Sequence, residues 1–474
     1  MTLIIVLLLV FGYLLIATGH LTGVNKAAIA MFLGTAGWVV YVCWGADFVA
    51  ALHPEEYADY LSGDEPSSAA VKYFIHDGVF LRYVGRAASI VMFLLATMTI
   101  IEILNNNGCF DFITEWIRTP GSKRLLWTIT LATFIISANL DNLTTTTMML
   151  LIMHQIVRNR RQRMYIGAAI VLAANCGGCF TVIGDPTGLI LWGDGAVTAT
   201  DFSKYLALPA VVAWVVPTLL IGRKLPGRLD TEWAAPPYRG DDTNLNRWQR
   251  VVMLFVGIGG LWFIPTFHNI TKLSPFLGAL CVLSVLWVVN EAFNRKLMDA
   301  DQMAQRRIPR AIQYGSLQQM LFVMGIMLGM GAMTETGVLG DIAAWFDKYI
   351  HNIWIVGLLA GLLSSVVDMF TVAVTNISFY PIADSLQAGM SAGSMTDAAY
   401  MTSFIQNGAY WKVIAYATAA GGCLLCVGST SGLALMKMEH IRVGWYLRNL
   451  TPMILVGFLL GLVILWAEIA ILSL

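Results

Sequence analysis

Apolar runs separated by short polar breaks make up most of this chain. Runs able to cross about 30 Å of hydrocarbon lie near 2–18, 26–44, 87–106, 164–192, 203–222, 248–266, 275–292, 315–334, 411–437 and 445–472. Two further pieces, Trp127–Ile152 and Ile353–Asp384, are apolar at both ends with a polar knot between: SANLDNLTTTT at 137–147 and SSVVDMFTVAVT at 364–375. Either leg alone is too short to span. Polar backbone is tolerated at membrane depth only inside protein or along a cavity, so both pieces predict re-entrant hairpins.

One broken run occurs twice. Leu172–Leu189 reads LAANCGGCFTVIGDPTGL and Tyr416–Leu433 reads YATAAGGCLLCVGSTSGL, with seven of eighteen positions identical without a gap. In the first copy, Pro186 removes a backbone donor and Gly184 and Gly188 loosen the chain, which predicts unwinding mid-span. Matching breaks in two halves point to the binding site of a secondary transporter.

Composition agrees with burial in lipid. The 474 residues are 57% hydrophobic and 12% charged, against about 25% charged in soluble domains. The charges are informative by position. With the N-terminus outside, ten crossings and two returning hairpins put 22 of the 29 Lys and Arg on the inner side. The clusters Arg158/Arg160/Arg161/Arg163, Arg223/Lys224/Arg228 and Arg306/Arg307/Arg310 all agree with the positive-inside bias. The order of three spans, a hairpin, a broken span and a span then runs twice. Five crossings per half turn the second half over. The predicted fold is an all-α polytopic membrane protein of two inverted repeats, 1–222 and 248–474, joined by a cytoplasmic linker at 223–247. Residues Thr2–Ala17 lack a basic flank and a cleavage motif, and read as a first span.

Three carboxylates interrupt membrane-depth sequence: Asp141, Asp185 and Asp368. A charge at that depth costs at least about 2.5–3.5 kcal/mol and ordinarily has a partner. No basic residue lies in the same knots, so the expected partner is a mobile cation or a proton. Asp141 and Asp368 occupy matching hairpins and each has a Thr three residues on (Thr144, Thr371). Carboxylate, hydroxyl and bare carbonyls form a hard-oxygen site for an ion such as Na+. The same Asp positions also suit capping of the helix that follows. Asp185 in GDPTG has Ser429 of GSTSG as its counterpart, so one break is acidic and the other hydroxyl-lined. Asn175 and Asn376 are polar at depth. Glu102 and Glu335 end the third span of each half, and Glu102 is the candidate proton relay.

Other chemistry is weakly signalled. The pairs Cys176/Cys179 and Cys423/Cys426 lack a soluble redox context, and read as small residues for close packing rather than a soft-metal site. The seven histidines fall at expected loops and span ends. There is no Walker A, His-Glu-x-x-His or Gly-x-Ser-x-Gly motif, so neither ATP hydrolysis nor enzymatic catalysis is indicated.

The segments SANLDNLTTTTMML, AANCGGCFTVIGDPTG and VGSTSG together resemble the NhaD-type sodium/proton antiporters. These belong to the ion transporter superfamily, alongside arsenite pumps and dicarboxylate transporters. The resemblance implies exchange of Na+ or Li+ for H+ in a bacterial cytoplasmic membrane, with no cofactor, no nucleic acid partner and a homodimer. It assigns ion binding to Asp141, Asn142 and Thr144, to Asn175, Asp185 and Thr187, and to Asp368, Thr371, Ser429, Thr430 and Ser431. Asp141, Asp185 and Thr187 would hold the Na+. Dicarboxylate carriers have Ser-Asn-Thr at their hairpin tips. The added carboxylates here would repel a dianion. An anion carrier or arsenite exporter remains the alternative cargo on the same fold.

Overall fold

A computed structural model of the chain describes residues 2–62, 65, 67–117, 121–229, 245–294, 314–383 and 400–472. Residues 230–244 of the predicted linker, the Arg306/Arg307/Arg310 cluster and Asp384 lie outside them. The described residues are helical almost throughout. Among the described residues eight helices are long and apolar enough to cross a membrane: α1 (Thr2–Thr22), α2 (Lys26–Cys43), α3 (Ser68–Asn106), α8 (Ala199–Gly222), α9 (Arg247–Thr271), α10 (Pro275–Phe293), α11 (Tyr314–Thr334) and α16 (Thr451–Leu472).

The two hairpins and two broken spans lie between them. Hairpin one is α4 (Ser122–Ser137) and α5 (Asn142–Ile156); hairpin two is α12 (Ile353–Ser364) and α13 (Met369–Phe379). The longest leg of either hairpin, α4, has 16 residues, about 24 Å at 1.5 Å per residue, short of the bilayer core. The broken spans are α6 (Arg160–Cys179) with α7 (Pro186–Gly193), and α14 (Ala409–Gly421) with α15 (Thr430–Glu439). Both breaks fall at the glycines and Pro186, as expected.

Two boundaries differ from expectation. The third span begins at Ser68 rather than near 87, with a wider π turn over Ile75–Phe80. Two short helices, Gly45–Leu52 and Pro54–Leu61, precede it. Hydropathy misses them because Glu55, Glu56, Lys72, Asp77 and Arg82 make the segment polar while it is still helical.

Packing repeats between the halves. Helix α8 lies along α16, and α2 along α11; α3 lies along α10 in the same relation. The first leg of each hairpin packs on the first half of the broken span that follows it, α4 on α6 and α12 on α14. The second legs cross over: α5 meets α15, and α13 meets α7. Each hairpin thereby touches the broken span of the other half.

The duplicated glycines explain the first of these contacts. A Cβ on Gly177 would lie 2.4 Å from the carbonyl O of Phe134, and one on Gly421 would lie 2.3 Å from that of Gly361. Gly184 faces the Ser137 carbonyl at 2.7 Å, and Gly428 faces that of Ser364 at 2.6 Å. Backbone meets backbone, and only glycine leaves room. The serines complete the match: Ser137 Oγ donates to the Ala174 carbonyl at 2.7 Å, and Ser364 Oγ donates to that of Thr418 at 2.6 Å.

Candidate functional site

Each of the four interruptions restarts with a polar cap. The Asp141 carboxylate accepts from the backbone N–H of Leu143 and of Thr144, both at 3.1 Å, at the start of α5. Asp368 accepts from Phe370 N at 3.1 Å, and Asp185 from Thr187 N at 3.2 Å. Ser429 Oγ accepts from Gly432 N at 3.0 Å. The capping role weighed from sequence is therefore real at all three acids. It leaves room for a second role, because caps do not offset burial. A hydrogen bond to a charged group contributes about 1.5–3 kcal/mol, and desolvating an ion costs several kcal/mol.

Asp141 and Asp185 face one crevice. It is closed by Gly184, Pro186 and Leu189 from the break and by Phe93, Leu94 and Thr97 of α3. Asp185 also lies within electrostatic reach of Asp368. Among the described residues neither Asp141 nor Asp185 forms an ion pair. Asp141 instead accepts from Gln319 Nε2 of α11 at 2.8 Å and, weakly, from the Thr144 hydroxyl at 3.3 Å.

Asp368 differs. Its carboxylate lies 3.4 Å from Lys26 Nζ, a residue at the first turn of α2. The expectation that no basic side chain reaches the buried acids fails at this one. Lys26 is 342 positions away, outside any window that compares neighbours.

The remaining predicted residues gather around the same breaks. The Asn142 amide nitrogen faces Ser137 Oγ (2.8 Å) and the carbonyls of Ala174 (3.1 Å) and Gly184 (3.2 Å). It pins the hairpin-one tip to the break beside Asp185. Asn175 Nδ2 donates to Cys423 Sγ at 3.1 Å, linking the two broken spans. All four CxxC thiols are buried. Among the described residues no three His, Cys, Asp or Glu side chains are grouped to hold a metal. Thr187, Thr371, Ser429 and Ser431 are buried; Thr430 opens α15. Glu102, half-buried on α3, is not among the residues lining the crevice. Glu335 is buried and accepts from Tyr83 OH (2.8 Å) and Tyr41 OH (3.3 Å), with His53 Nε2 at 2.7 Å.

Oxygens near these breaks are left over. Thr145, Thr146 and Thr371 hydroxyls, Ser431 Oγ, Asn175 Oδ1 and Gln319 Oε1 are buried without a hydrogen-bond partner among the described residues. Such orphans are rare in folded proteins. They are neutral hard-oxygen donors: Thr145 and Thr146 share α5 with the Asp141 cap and Thr371 shares α13 with the Asp368 cap, while Asn175, Ser431 and Gln319 stand on α6, α15 and α11. Gln319, Lys26 and Thr97 were not legible in the sequence, since each reaches the site from a distant span.

Among the described residues, eight long apolar helices, paired broken segments and two buried acids without an ion pair, Asp141 and Asp185, define a polytopic helical membrane protein of the transporter class. The chain belongs to the citrate transporter family, whose model matches residues 1–405, within the ion transporter superfamily. It is 27% identical over 461 residues to "Sodium/proton antiporter 2" of Arabidopsis thaliana, covering 96% of this chain and 97% of that protein. "Sodium/proton antiporter 1" of the same plant is 31% identical over 80% of this chain, which spans 61% of that protein's length. "Na(+)/H(+) antiporter NhaD" of Vibrio cholerae is 27% identical over 80% of this chain and 77% of its own. The YdaH transporter of Alcanivorax borkumensis, described as having an unusual topology, shares the fold. Its TM-score is 0.58 at 14% identity, over 94% of this chain and 99% of that one. The family resemblance read from the motifs is thus borne out.

Proposed function

We propose that the chain is a secondary antiporter exchanging Na+, or Li+, for H+ across the membrane it spans. The observation carrying this reading is the crevice that holds Asp141 and Asp185 without a basic partner among the described residues. Two buried carboxylates need neutralising, and a cation or protons do so by turns. Competition for the same oxygens makes exchange obligatory. Asp141, Asp185 and Thr187 hold the ion, with Asn142 and Thr144 shaping the tip and Asn175, Thr371, Ser429, Thr430 and Ser431 as neutral oxygens near it. Relatives named as sodium/proton antiporters support the same cargo.

The halves are read as inverted repeats. The hairpins and broken spans rock against the frame of α2–α11, α3–α10 and α8–α16, exposing the crevice alternately.

A second reading, carriage of an anion such as citrate, has the family's own name behind it. Helix N-termini are natural anion sites. Here the four at the breaks are already filled by Asp141, Asp185, Asp368 and Ser429, and three of the fillers are acids. A carboxylate cargo would meet charge of its own sign. The deciding measurement is proton movement in proteoliposomes carrying a pH dye. NaCl or LiCl should release protons and citrate should not. Asp141→Asn and Asp185→Asn should each abolish the response; full activity in either removes that residue from the mechanism.

A further inference from the structure

The two sides of the pseudo-symmetric centre are not equivalent in charge. The tip of hairpin one (137–147) and the break that follows contribute two acids, Asp141 and Asp185, and no base. Hairpin two and its break contribute one acid, Asp368, since Ser429 stands where Asp185 does in the first half. That acid already has a cation. Lys26 Nζ lies 3.4 Å from Asp368 Oδ2, with the lysine side chain 13% and the carboxylate 2% exposed. The equivalent hydrogen bond to Asp141 comes from a neutral amide, Gln319. Among the described residues the first side thus holds two carboxylates without a paired cation and the second holds none.

Lys26 is also firmly placed. Asn25 caps α2 by accepting from Ala27 N at 3.0 Å, which fixes the first turn. Further along, α2 is clamped to α11: a Cβ on Gly325 would lie 2.3 Å from the Ala30 carbonyl carbon, and one on Gly34 would lie 2.9 Å from the Gly325 carbonyl oxygen. The ammonium hangs from the frame, while Asp368 sits on a hairpin tip.

We propose that Lys26 is a tethered counter-cation that takes Asp368 out of ion binding, leaving the Asp141–Asp185 side to carry the cargo alone. Two cations do not share one carboxylate at contact distance without strong repulsion, so the bound ammonium excludes a metal ion from the second side. This deepens the exchange reading and rests on it. It also revises the sequence expectation, under which Asp368 is itself a ligand.

The two roles predict opposite outcomes when charge is rebalanced. Apparent Na+ affinity is measured from Na+-driven proton movement in proteoliposomes of the full chain. Asp368→Asn leaves the Lys26 ammonium without its counter-charge at a position within electrostatic reach of Asp185, and should weaken apparent Na+ affinity at least tenfold. Adding Lys26→Gln removes that charge, and the double variant should return to within threefold of wild type. If Asp368 is a ligand, the double variant stays as defective as Asp368→Asn, and the proposal falls. Wild-type affinity in Asp368→Asn overturns it as well. Should Asp368→Asn not fold, the double variant decides alone: an affinity within threefold of wild type supports the proposal, and a larger loss overturns it. A wild-type protein without Na+-driven proton movement would end the exchange reading itself, which no pattern among the variants of an active protein would do.

Discussion

Gln319 gives its amide N–H to Asp141 and leaves its own carbonyl oxygen without a partner. The donated bond favours the ionised carboxylate, the form that binds a cation. Gln319→Leu removes it while keeping a buried side chain of similar length. A hydrogen bond to a charged group contributes about 1.5–3 kcal/mol, so apparent Na+ affinity should drop about tenfold or more. Because protons then compete better, the loss should be larger at acid pH, which Na+ titrations at two pH values would show. An equal loss at both would remove Gln319 from the competition. Cys109 tests burial outside the spans. Burial pushes its thiol up to about 12 despite the nearby Arg250 guanidinium. The thiolate is scarce below that value, so maleimide at pH 8 should modify Cys109 far more slowly than a cysteine placed at exposed Glu55. At this scale the acids were legible because a carboxylate in an apolar run has few innocent explanations. Gln319 and Lys26 were not, because an amide or a lysine near a span end is ordinary until the fold shows what it faces.

The broken spans were readable as elements because glycine, proline and polar residues interrupt apolar runs at matching places. What the repeated glycines are for was not readable. Gly177 and Gly421 are identical between the repeats because each lets a hairpin's first leg lay its backbone on the broken span. Gly177→Ala and Gly421→Ala should each cost about 1–3 kcal/mol of overpacking, seen as a lower melting temperature in detergent and reduced transport. Gly85 is the control: it is helical, and a Cβ there meets nothing within 4 Å. Gly85→Ala should be neutral or slightly stabilising. Equal melting of all three variants would show that the backbone contacts do not matter. The N-terminal extension of α3 illustrates the opposite limit. Its polar first turns hide a helix from hydropathy, since a helix needs apolar side chains only where it meets lipid.

Over the whole molecule, contact pairing repeats between halves, but contacts do not reveal which side of the membrane each half begins on. The basic residues predict that the halves begin on opposite sides. If the halves are inverted, matching turns must face opposite sides. The turn between α1 and α2 contains exposed Val24, and the corresponding turn between α9 and α10 follows exposed Thr271. Single cysteines at these positions, in a background without reactive thiols, should respond oppositely to an impermeant maleimide added outside intact cells. Thr271→Cys should label and Val24→Cys should not, and Arg161→Cys in the basic inner cluster should behave like Val24→Cys. Labelling of both turns from one side would mean an even number of crossings in the first half. One hairpin would then have to span, although its longest leg is about 24 Å. The crossover packing of α5 on α15 and α13 on α7 makes inversion the economical arrangement. Two hairpins entering from opposite faces bring their tips to a common depth, where Asp185 lies within electrostatic reach of both Asp141 and Asp368. Hairpins entering from the same face would leave the other side of that depth without a gate, and alternating access would have nothing to alternate.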